Sequence, residues 1–236
     1  MKCNKEPVYY NISEIFGSIE GEGKRTGELT TFIRFYGCNL RCSWCDSSYS
    51  YTNNDYTKMT LQEIITKVKE IGYRNITITG GEPLIQQDIQ ILINTLCSDK
   101  YYVNIETNGS VDISTFRFVG YNNLFFTMDY KCPSSNMNSH MLLQNYKALN
   151  KNDVVKFVVA DTQDLDKAYA FIKDLKYMYN MANTQEVEYP LFYISPVFNK
   201  IELKDIVQYM KDKNMEGVRL QVQLHKIIWD PDKRGV

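Results

Sequence analysis

Three cysteines on one short loop constrain this chain more than any other feature. Cys38, Cys42 and Cys45 follow directly after an apolar run, residues 31–36, and are spaced C-x3-C-x2-C. The irons of an iron–sulfur cluster prefer soft thiolate ligands. Three thiolates can hold three corners of a 4Fe–4S cluster, which leaves the fourth iron without a protein ligand. Such an open iron can bind a small molecule, whereas a fully ligated cluster mainly passes electrons.

A zinc site, a disulfide or a fully ligated cluster suits this loop less well. A structural zinc site normally needs four ligands, and no fourth Cys or His stands near the loop in the sequence. A disulfide would leave one of the three cysteines unpaired and would need an oxidising compartment. A non-catalytic electron-transfer module would need a fourth cysteine ligand, and Cys132 stays open as a candidate. Cys3 and Cys97 are interpreted as incidental.

Length and charge limit the class of protein. The 236 residues suit a single domain spanning 1–236. The 27 basic side chains nearly balance the 28 acidic ones, which argues against a nucleic-acid partner. No apolar run approaches the roughly 20 residues of a membrane span, and the first residues lack an apolar signal region. We therefore expect no membrane partner and a cytoplasmic location, where thiols stay reduced.

Short β-branched or aromatic runs alternate with amphipathic stretches along the chain. This alternation predicts right-handed βαβ units on a parallel sheet, and the number of strands favours a partial or complete barrel over an open doubly wound sheet. The predicted strands span residues 9–16, 29–36, 75–79, 102–106, 124–128, 154–159, 191–195 and 218–222. The predicted helices span 61–71, 85–96, 139–149, 162–179 and 203–213, with a glycine-rich loop at 17–28 and a surface excursion at 47–58.

Each segment that carries candidate functional residues stands immediately after a predicted strand. These segments are residues 37–46, 80–83, 107–109, 129–131 and 195–196. In β/α barrels the loops beyond the carboxyl ends of the strands build the active site. We therefore expect these segments to converge on one rim, with the three cysteines among them.

A Gly80-Gly81-Glu82-Pro83 motif follows one of the apolar strands. Two glycines let the backbone approach a ligand closely, and the carboxylate can accept hydrogen bonds from an ammonium group. Read alone, the motif would be an ordinary strand-ending turn. Next to an open-cluster cysteine loop, it predicts a site for the ammonium of a bound ligand.

Two carboxylates, Glu20 and Glu22, and the guanidinium of Arg34 precede the cysteine loop. A carboxylate can pair with an amino-pyrimidine edge, and an arginine can fork onto a carboxylate. These residues predict recognition of a polar heterocycle that carries a carboxylate; the alternative is a solvated turn with a surface ion pair. Ser47 can offer a hydroxyl to Mg²⁺. A lone histidine such as His225 is more often structural.

Taken together, these residues resemble the 7-carboxy-7-deazaguanine synthases, a branch of the radical S-adenosylmethionine superfamily. The cysteine loop and the Gly-Gly-Glu-Pro motif are typical of the superfamily as a whole. The branch is indicated by the loop at 16–23, the run at 131–135 and the Gln223-Leu224-His225 tail. Further matching segments lie at 35–46, 106–109, 129–135 and 233–236.

The resemblance implies a fold, a reaction and partners. The fold would be an abbreviated, TIM-like β/α barrel with parallel strands, and the protein a homodimer. The reaction would convert 6-carboxy-5,6,7,8-tetrahydropterin to 7-carboxy-7-deazaguanine with loss of ammonia, in queuosine and deazapurine biosynthesis. Reductive cleavage of S-adenosylmethionine would give a 5′-deoxyadenosyl radical that removes the C6 hydrogen and later returns it. An electron donor of the flavodoxin or ferredoxin class and Mg²⁺ complete the expected set.

Site residues follow from the resemblance together with the residues singled out above. The 4Fe–4S ligands would be Cys38, Cys42 and Cys45, and the Mg²⁺ ligand Ser47. Contacts to S-adenosylmethionine would come from Trp44, Cys45, Asp46, Gly81, Glu82, Asp129, Tyr130, Lys131, Ser195, Pro196, Val197 and Phe198. Contacts to the pterin would come from Ile19, Glu20, Gly21, Glu22, Arg34, Thr79, His225 and Val236. No protein side chain is expected to act as the catalytic group itself.

Three positions depart from the family pattern. Glu20 stands where the family often has Gln, which would add a negative charge to the pocket, and Ser47 stands where it often has Thr. The tail after His225, ending at Val236, is longer than in many members. The alternative enzyme is a radical activase that installs a glycyl radical on a partner protein, which shares the cysteine loop but needs a broad docking surface.

Overall fold

One nine-stranded sheet forms the frame of the molecule. The computed structural model describes residues 7–117, 121–182 and 188–236. The strands are β1 (Tyr9–Ile19), β2 (Leu29–Phe35), β3 (Thr57–Thr60), β4 (Asn75–Gly80), β5 (Tyr102–Thr107), β6 (Leu124–Tyr130), β7 (Val154–Val159), β8 (Leu191–Pro196) and β9 (Val218–Leu220). Their order is β3-β1-β2-β4-β5-β6-β7-β8-β9.

The sheet is parallel from β2 through β4 to β9, and β1 pairs antiparallel with both β2 and β3. Within the described residues β3 and β9 form the two edges, so the sheet does not close on itself. This confirms the predicted partial barrel. No helix in the described part of the chain is long and apolar enough to cross a membrane.

The helices of the described chain are α1 (Tyr49–Thr52), α2 (Leu61–Ile71), α3 (Ile89–Ser98), α4 (Leu143–Lys147), α5 (Thr162–Ala182), α6 (Leu203–Asp212) and α7 (His225–Ile228). Helices α2 to α6 contribute buried side chains to the hydrophobic core, whereas in α1 the Tyr49 hydroxyl donates to Glu14 and in α7 His225 contacts Gly21. At the start of α2 the Thr60 side chain accepts from the Glu63 N–H, and the Glu63 side chain accepts from the Thr60 N–H. Gly72 ends the helix with φ of 84°, a conformation that glycine adopts without steric cost.

The two faces of the sheet differ sharply in polarity. One face carries aliphatic and aromatic side chains in register, for example Ile33, Ile78, Ile105 and Phe126 on four successive strands, all fully buried. Because side chains alternate along a strand, the intervening residues share the opposite face. There the register runs through Arg34, Thr79, Glu106 and Thr127 in one row and Asp129, Lys156, Tyr193 and Arg219 in another. Helices α2 to α6 pack on the apolar face, and the polar face is left for the site.

Several predicted elements differ from the observed ones. The predicted loop at 17–28 begins as strand, because β1 continues to Ile19 to pair with β2, and contains a 3-10 turn at Gly23–Arg25. The predicted excursion at 47–58 contains α1 and the start of β3, which pairs with β1. The predicted helix at 139–149 reduces to α4, and that at 85–96 starts only at Ile89, after a 3-10 turn at Pro83–Ile85. Cys3 lies outside the described residues.

Candidate active site

The three loop cysteines are free thiols at the carboxyl end of β2, each half-buried. The N–H of Leu40 lies 3.4 Å from Sγ of Cys38, and the side-chain amide of Asn108 approaches the same sulfur at 3.9 Å. In the part of the chain that the structure describes, no three His, Cys, Asp or Glu side chains are arranged as ligands of a single metal ion. Amide donors directed at a sulfur stabilise a ligating thiolate, so the loop suits a cluster bound through its thiolates.

The fourth candidate cysteine lies away from this loop. Cys132 is fully buried in the hydrophobic core, and its Sγ is 4.0 Å from the carbonyl oxygen of Asp164. Burial raises the pKa of this thiol, with the neighbouring Asp164 acting in the same direction. Such a thiol packs as a small apolar group.

The glycine motif after β4 packs directly against the cysteine loop. The N–H of Gly81 donates to the carbonyl oxygen of Phe35 at 3.2 Å, and the N–H of Glu82 donates to that of Gly37 at 2.9 Å. A Cβ atom at Gly81 would overlap the Gly37 carbonyl and stand 2.7 Å from Cβ of Cys38. Only glycine at position 81 allows the two loops to touch.

Glu82 is buried and serves as a hydrogen-bond acceptor for three protein donors. Its Oε1 accepts from the Leu84 N–H at 3.0 Å and the Thr107 hydroxyl at 2.9 Å, while Oε2 accepts from the Asn108 N–H at 2.7 Å. Burial raises the pKa of Glu82 to about 7, although these bonds oppose the shift. The carboxylate therefore ties the loops after β4 and β5 together, and its contact with a ligand ammonium stays a prediction.

A second brace holds the far side of the cysteine loop. The indole N–H of Trp44 donates to Oγ of Ser134 at 2.9 Å, and the Ser134 hydroxyl donates to the buried Asp164 at 2.5 Å. The N–H of Ser43 donates to the carbonyl oxygen of Ser135 at 3.1 Å. The sequence did not single out Asp164 and gave Ser134 no role of its own; the only signal was the matching 131–135 run.

A chain of alternating charges crosses the polar face beside this brace. Oδ2 of Asp129 is 2.7 Å from Nζ of Lys131, and Oδ1 is 3.3 Å from Nζ of Lys156, which also lies 2.9 Å from Oε2 of Glu22. Burial would raise the pKa of Asp129, but the two lysines outweigh it and keep that pKa below its usual value. Sequence reasoning missed Lys156, although a lone charge inside an apolar strand was a visible signal.

The environment of Glu20 corrects one expectation. Glu20 is buried, accepts from the Thr77 hydroxyl at 2.5 Å and lies 3.9 Å from Nη2 of Arg25. Burial, together with the nearby Glu106, raises the pKa of Glu20 to about 8. Burial and Glu106 thus favour the protonated form of Glu20, so this residue adds less negative charge to the pocket than the sequence predicted.

Arg34 is held by Glu14, a residue that the sequence analysis did not single out. Its Nε donates to Oε1 of Glu14 at 2.7 Å, so the partner comes from β1 and not from the 20–23 loop. Among the described residues its terminal nitrogens make no hydrogen bond. The tail reaches the same place, because a Cβ at Gly235 would lie 3.9 Å from Oε2 of Glu14, and the Arg234 guanidinium lies over the Tyr49 ring. Val236 is half-buried beside them.

The remaining predicted substrate residues cluster near this pocket. Thr79 donates to Oε2 of Glu106 at 2.7 Å, and the sequence did not assign Glu106. The Leu224 N–H donates to the Gly21 carbonyl at 3.1 Å, and the His225 imidazole fills the space that a Cβ at Gly21 would need. Desolvation lowers the pKa of His225, although Glu22 opposes the shift. Ile19 is the last residue of β1.

The predicted cofactor residues on β6 and β8 differ in which face of the sheet their side chains occupy. Ser195 is buried at the end of β8, and its hydroxyl has no partner in the described structure. Tyr130 does not share this face: alternation places its ring on the apolar side, 4.2 Å from the Phe171 ring centroid, so only its backbone can reach a ligand from the polar side. Pro196 ends β8, and Val197 is buried, whereas Phe198 is exposed.

Two predicted residues, Asp46 and Ser47, directly follow the last loop cysteine, Cys45. Oγ of Ser47 is 3.8 Å from Sγ of Cys45. Asp46 is exposed and lies 3.1 Å from Nζ of Lys226. The Asp46–Lys226 ion pair connects the cysteine loop to the segment after β9.

Unpaired buried polar atoms show that the polar face suits a polar ligand. Oε1 of Glu22 and the hydroxyl of Ser195 are both buried without a hydrogen-bond partner among the described residues. Such groups are rare in folded proteins, because each costs free energy unless a ligand or water pairs with it. Together with three free thiols on the adjoining loop, they fit a 4Fe–4S cluster and S-adenosylmethionine.

Comparison with known proteins decides the family. A curated 7-carboxy-7-deazaguanine synthase of Clostridium acetobutylicum is 46% identical over 230 residues, covering 96% of this chain and 99% of that protein. The chain belongs to the 7-carboxy-7-deazaguanine synthase family. A relative with the same name from Koribacter versatilis is 31% identical and covers 95% of this chain and 99% of its own.

Two further comparisons agree with this family. Residues 32–130 match the model of the radical SAM superfamily, and this match together with the synthase relatives identifies the chain as a radical S-adenosylmethionine enzyme. The crystal structure of QueE from Escherichia coli superposes with a TM-score of 0.69 at 23% identity, covering 92% of this chain and 95% of that one. The likeness in structure supports the partial-barrel fold. Membership of the synthase family agrees with the predicted enzyme class.

Proposed function

We propose that this enzyme converts 6-carboxy-5,6,7,8-tetrahydropterin to 7-carboxy-7-deazaguanine and ammonia. The observation that carries the proposal is end-to-end similarity to synthases named for this product, on a chain whose polar face adjoins the cysteine loop. The loss of ammonia balances the atoms of substrate and product. A hydrogen atom removed at the start can therefore be returned at the end, and no net oxidant is needed.

The cofactors would be held at the carboxyl ends of the strands. Cys38, Cys42 and Cys45 would hold the 4Fe–4S cluster. When bound, the cluster and S-adenosylmethionine supply a carbon-centred radical that can remove a hydrogen atom from the substrate. Trp44, one of the expected contacts to S-adenosylmethionine, is held in position by a hydrogen bond to Ser134. The other expected cofactor contacts lie on loops and strand ends. These contacts are Asp46, Gly81, Glu82, Asp129, the Tyr130 backbone, Lys131 and residues 195–198.

Glu22 would bind the amino-pyrimidine edge of the pterin. Lys156 lies 2.9 Å from Oε2 of Glu22, while Oε1 is buried with no partner in the described chain. A carboxylate oxygen in that position can accept hydrogen bonds from the N–H groups of an amino-pyrimidine. Gly21 and His225 would form the adjoining wall, with Ile19, Glu20 and Thr79 beneath the ring.

Arg34 would bind the carboxylate of the substrate. Glu14 holds the guanidinium through Nε, which leaves the terminal nitrogens to face a ligand. The 234–236 segment lies beside Glu14 and would close this side of the pocket. Ser47 would supply one ligand to Mg²⁺, which binds through few protein groups and several waters and would share the charge of the substrate carboxylate.

The partners follow from the same chemistry. A one-electron donor of the flavodoxin or ferredoxin class would reduce the cluster, and a cytoplasmic location would keep its thiol ligands reduced. We expect a homodimer. A glycyl-radical activase is the less favoured function, because the similar curated proteins are named for a small-molecule product.

The test is anaerobic turnover with defined components. The protein would be reconstituted with iron and sulfide, supplied with S-adenosylmethionine, Mg²⁺, a reductant and the carboxypterin, and the product identified by mass. Arg34→Ala is expected to raise KM for the carboxypterin at least tenfold, since it removes a charged hydrogen-bonding partner. Cys42→Ala is the inactive control. Absence of deazaguanine from a protein with full cluster content would refute the proposal.

A further inference from the structure

One buried amide outside the assigned site has no partner. The side chain of Gln221 is 5% exposed, and neither its nitrogen nor its oxygen makes a hydrogen bond within the described residues. Its backbone N–H donates to the carbonyl oxygen of Ile194 at 2.8 Å, which fixes it to the end of β8. An amide left unpaired away from water destabilises the protein, so it is retained where a ligand pairs with it.

The strand register places Gln221 on the polar face. In β9 Arg219 lies opposite Tyr193 and donates to its hydroxyl at 2.9 Å, and Tyr193 lies opposite Lys156. Leu220 points to the other face because side chains alternate along a strand. The ladder continues to Gln221, which therefore lies on the same face as Arg219 and next to Ser195, the neighbouring position of β8.

Gln221 and Ser195 together form a small neutral subsite. Ser195 is 1% exposed, and its hydroxyl is also unpaired in the described structure. The amide offers a donor and an acceptor side by side, and the hydroxyl can act as either. Adenine presents a matching donor and acceptor on its edge, a pattern that a glutamine side chain can bind with two hydrogen bonds. Asp129 and Lys131, which pair with each other at 2.7 Å, are the expected partners of the charged groups of such a ligand.

We propose that Gln221, acting with Ser195, binds the adenosyl part of S-adenosylmethionine. The inference rests on the radical reaction proposed above and adds a residue that selects the nucleoside. The competing occupant of the polar face, the pterin, is expected near Glu22 and Arg34. Gln221 would thus determine cofactor affinity without affecting substrate affinity.

The experiment compares ligand binding and stability in one variant. Gln221→Met keeps the length of the side chain and removes both polar atoms. Anaerobically reconstituted protein without reductant would be used to measure Kd for S-adenosylmethionine, Kd for the carboxypterin and the Tm of the ligand-free form. We expect Kd for S-adenosylmethionine to rise about tenfold, Kd for the pterin to stay constant, and Tm to stay equal or rise. Gln208→Met, on the exposed face of α6, is the matched control and should change none of these.

A merely structural glutamine would behave in the opposite way. A fall in Tm with parallel weakening of both ligands would overturn the proposal, as would unchanged affinity for S-adenosylmethionine or selective loss of pterin binding. Gln221→Asn, which keeps the amide but withdraws it by one methylene, should weaken S-adenosylmethionine binding as well. Binding is measured without turnover, so a wild-type protein that binds the cofactor but leaves the pterin unconverted would refute only the proposed function.

Discussion

The backbone N–H of Asn108, after β5, donates at 2.7 Å to the buried carboxylate of Glu82, after β4. This bond joins two neighbouring loops of the rim and places Asn108 within reach of Cys38. Glu82, which the sequence suggested as a contact of the cofactor, therefore also holds the two loops together. Its substitution should affect stability as well as cofactor binding.

Glu82→Gln is expected to lower the free energy of unfolding by about 1–3 kcal/mol, because an amide nitrogen would face N–H donors where an oxygen now accepts. Thermal or denaturant unfolding at matched cluster content would measure it, and binding of S-adenosylmethionine should weaken in parallel. Glu63→Gln is the control, since a glutamine also completes a capping box. Equal stability of the two variants would contradict the bracing role.

Gly81→Ala should prevent assembly of the cluster. The added Cβ would overlap the Gly37 backbone and crowd Cys38, so the cysteine loop must move. Iron content and visible absorption after reconstitution would show the loss. Gly27→Ala is a useful comparison, because position 27 has a positive φ but its Cβ would meet nothing within 4 Å. Full cluster content in Gly81→Ala would refute the close packing.

Lys156→Met should destabilise the protein by roughly 3–5 kcal/mol, because it strands the partly buried carboxylates of Glu22 and Asp129 without one of their cations. The double variant Lys156→Met with Glu22→Gln should recover part of this loss. Chemical denaturation of the set of variants would measure the coupling. A double variant no more stable than the single one would argue against a direct Lys156–Glu22 interaction.

Glu20→Gln should change how stability depends on pH. The folded pKa of about 8 lies above that of an unfolded glutamate, so Glu20 contributes stability at low pH that is lost as pH rises from about 4.5 to about 8. Each pKa unit corresponds to about 1.4 kcal/mol. The variant should therefore resemble the wild type at pH 5 and exceed it in Tm at pH 9. Identical pH profiles would show that Glu20 titrates normally.

Cys132→Ala should leave iron content unchanged, in contrast to Cys38→Ala, Cys42→Ala and Cys45→Ala. Cys132 is enclosed by the hydrophobic core beside Asp164, so it has no route to a cluster on the loop. Iron analysis and the absorption of the reconstituted protein would check all four variants. Loss of the cluster in Cys132→Ala would revive a four-cysteine electron-transfer module.

The sequence predicted the rim well because strand ends are encoded locally. An apolar strand followed by glycine or a polar residue was enough to locate the segments at 37–46, 80–83 and 107–109, and the capping box at Thr60 was also correct. Contacts across strands were not predictable in this way. The pairing of Arg34 with Glu14 and of Lys156 with Glu22 depends on strand order, which connects residues distant in the chain.

The pKa of Glu20 illustrates the same limit. The shift follows from the burial of Glu20 and from Glu106 on another strand, neither of which a local pattern records. The same holds for Gln221, whose unpaired amide becomes visible only when every neighbouring donor and acceptor has been located. Sequence indicates which chemistry is present, whereas the electrostatic state of each group depends on the assembled sheet.

The unequal faces of the sheet bear on how this enzyme could acquire a new substrate. Along β4, Ile76 and Ile78 are buried against the helices, while Thr77 and Thr79 point toward the ligand side. Stability and specificity thus depend on alternate residues of the same strand. Substitutions at the ligand-facing positions can alter what is bound while the hydrophobic packing stays intact. At uncharged ligand-facing positions such as Thr79, evolution can therefore change the substrate in single steps without disturbing the hydrophobic core.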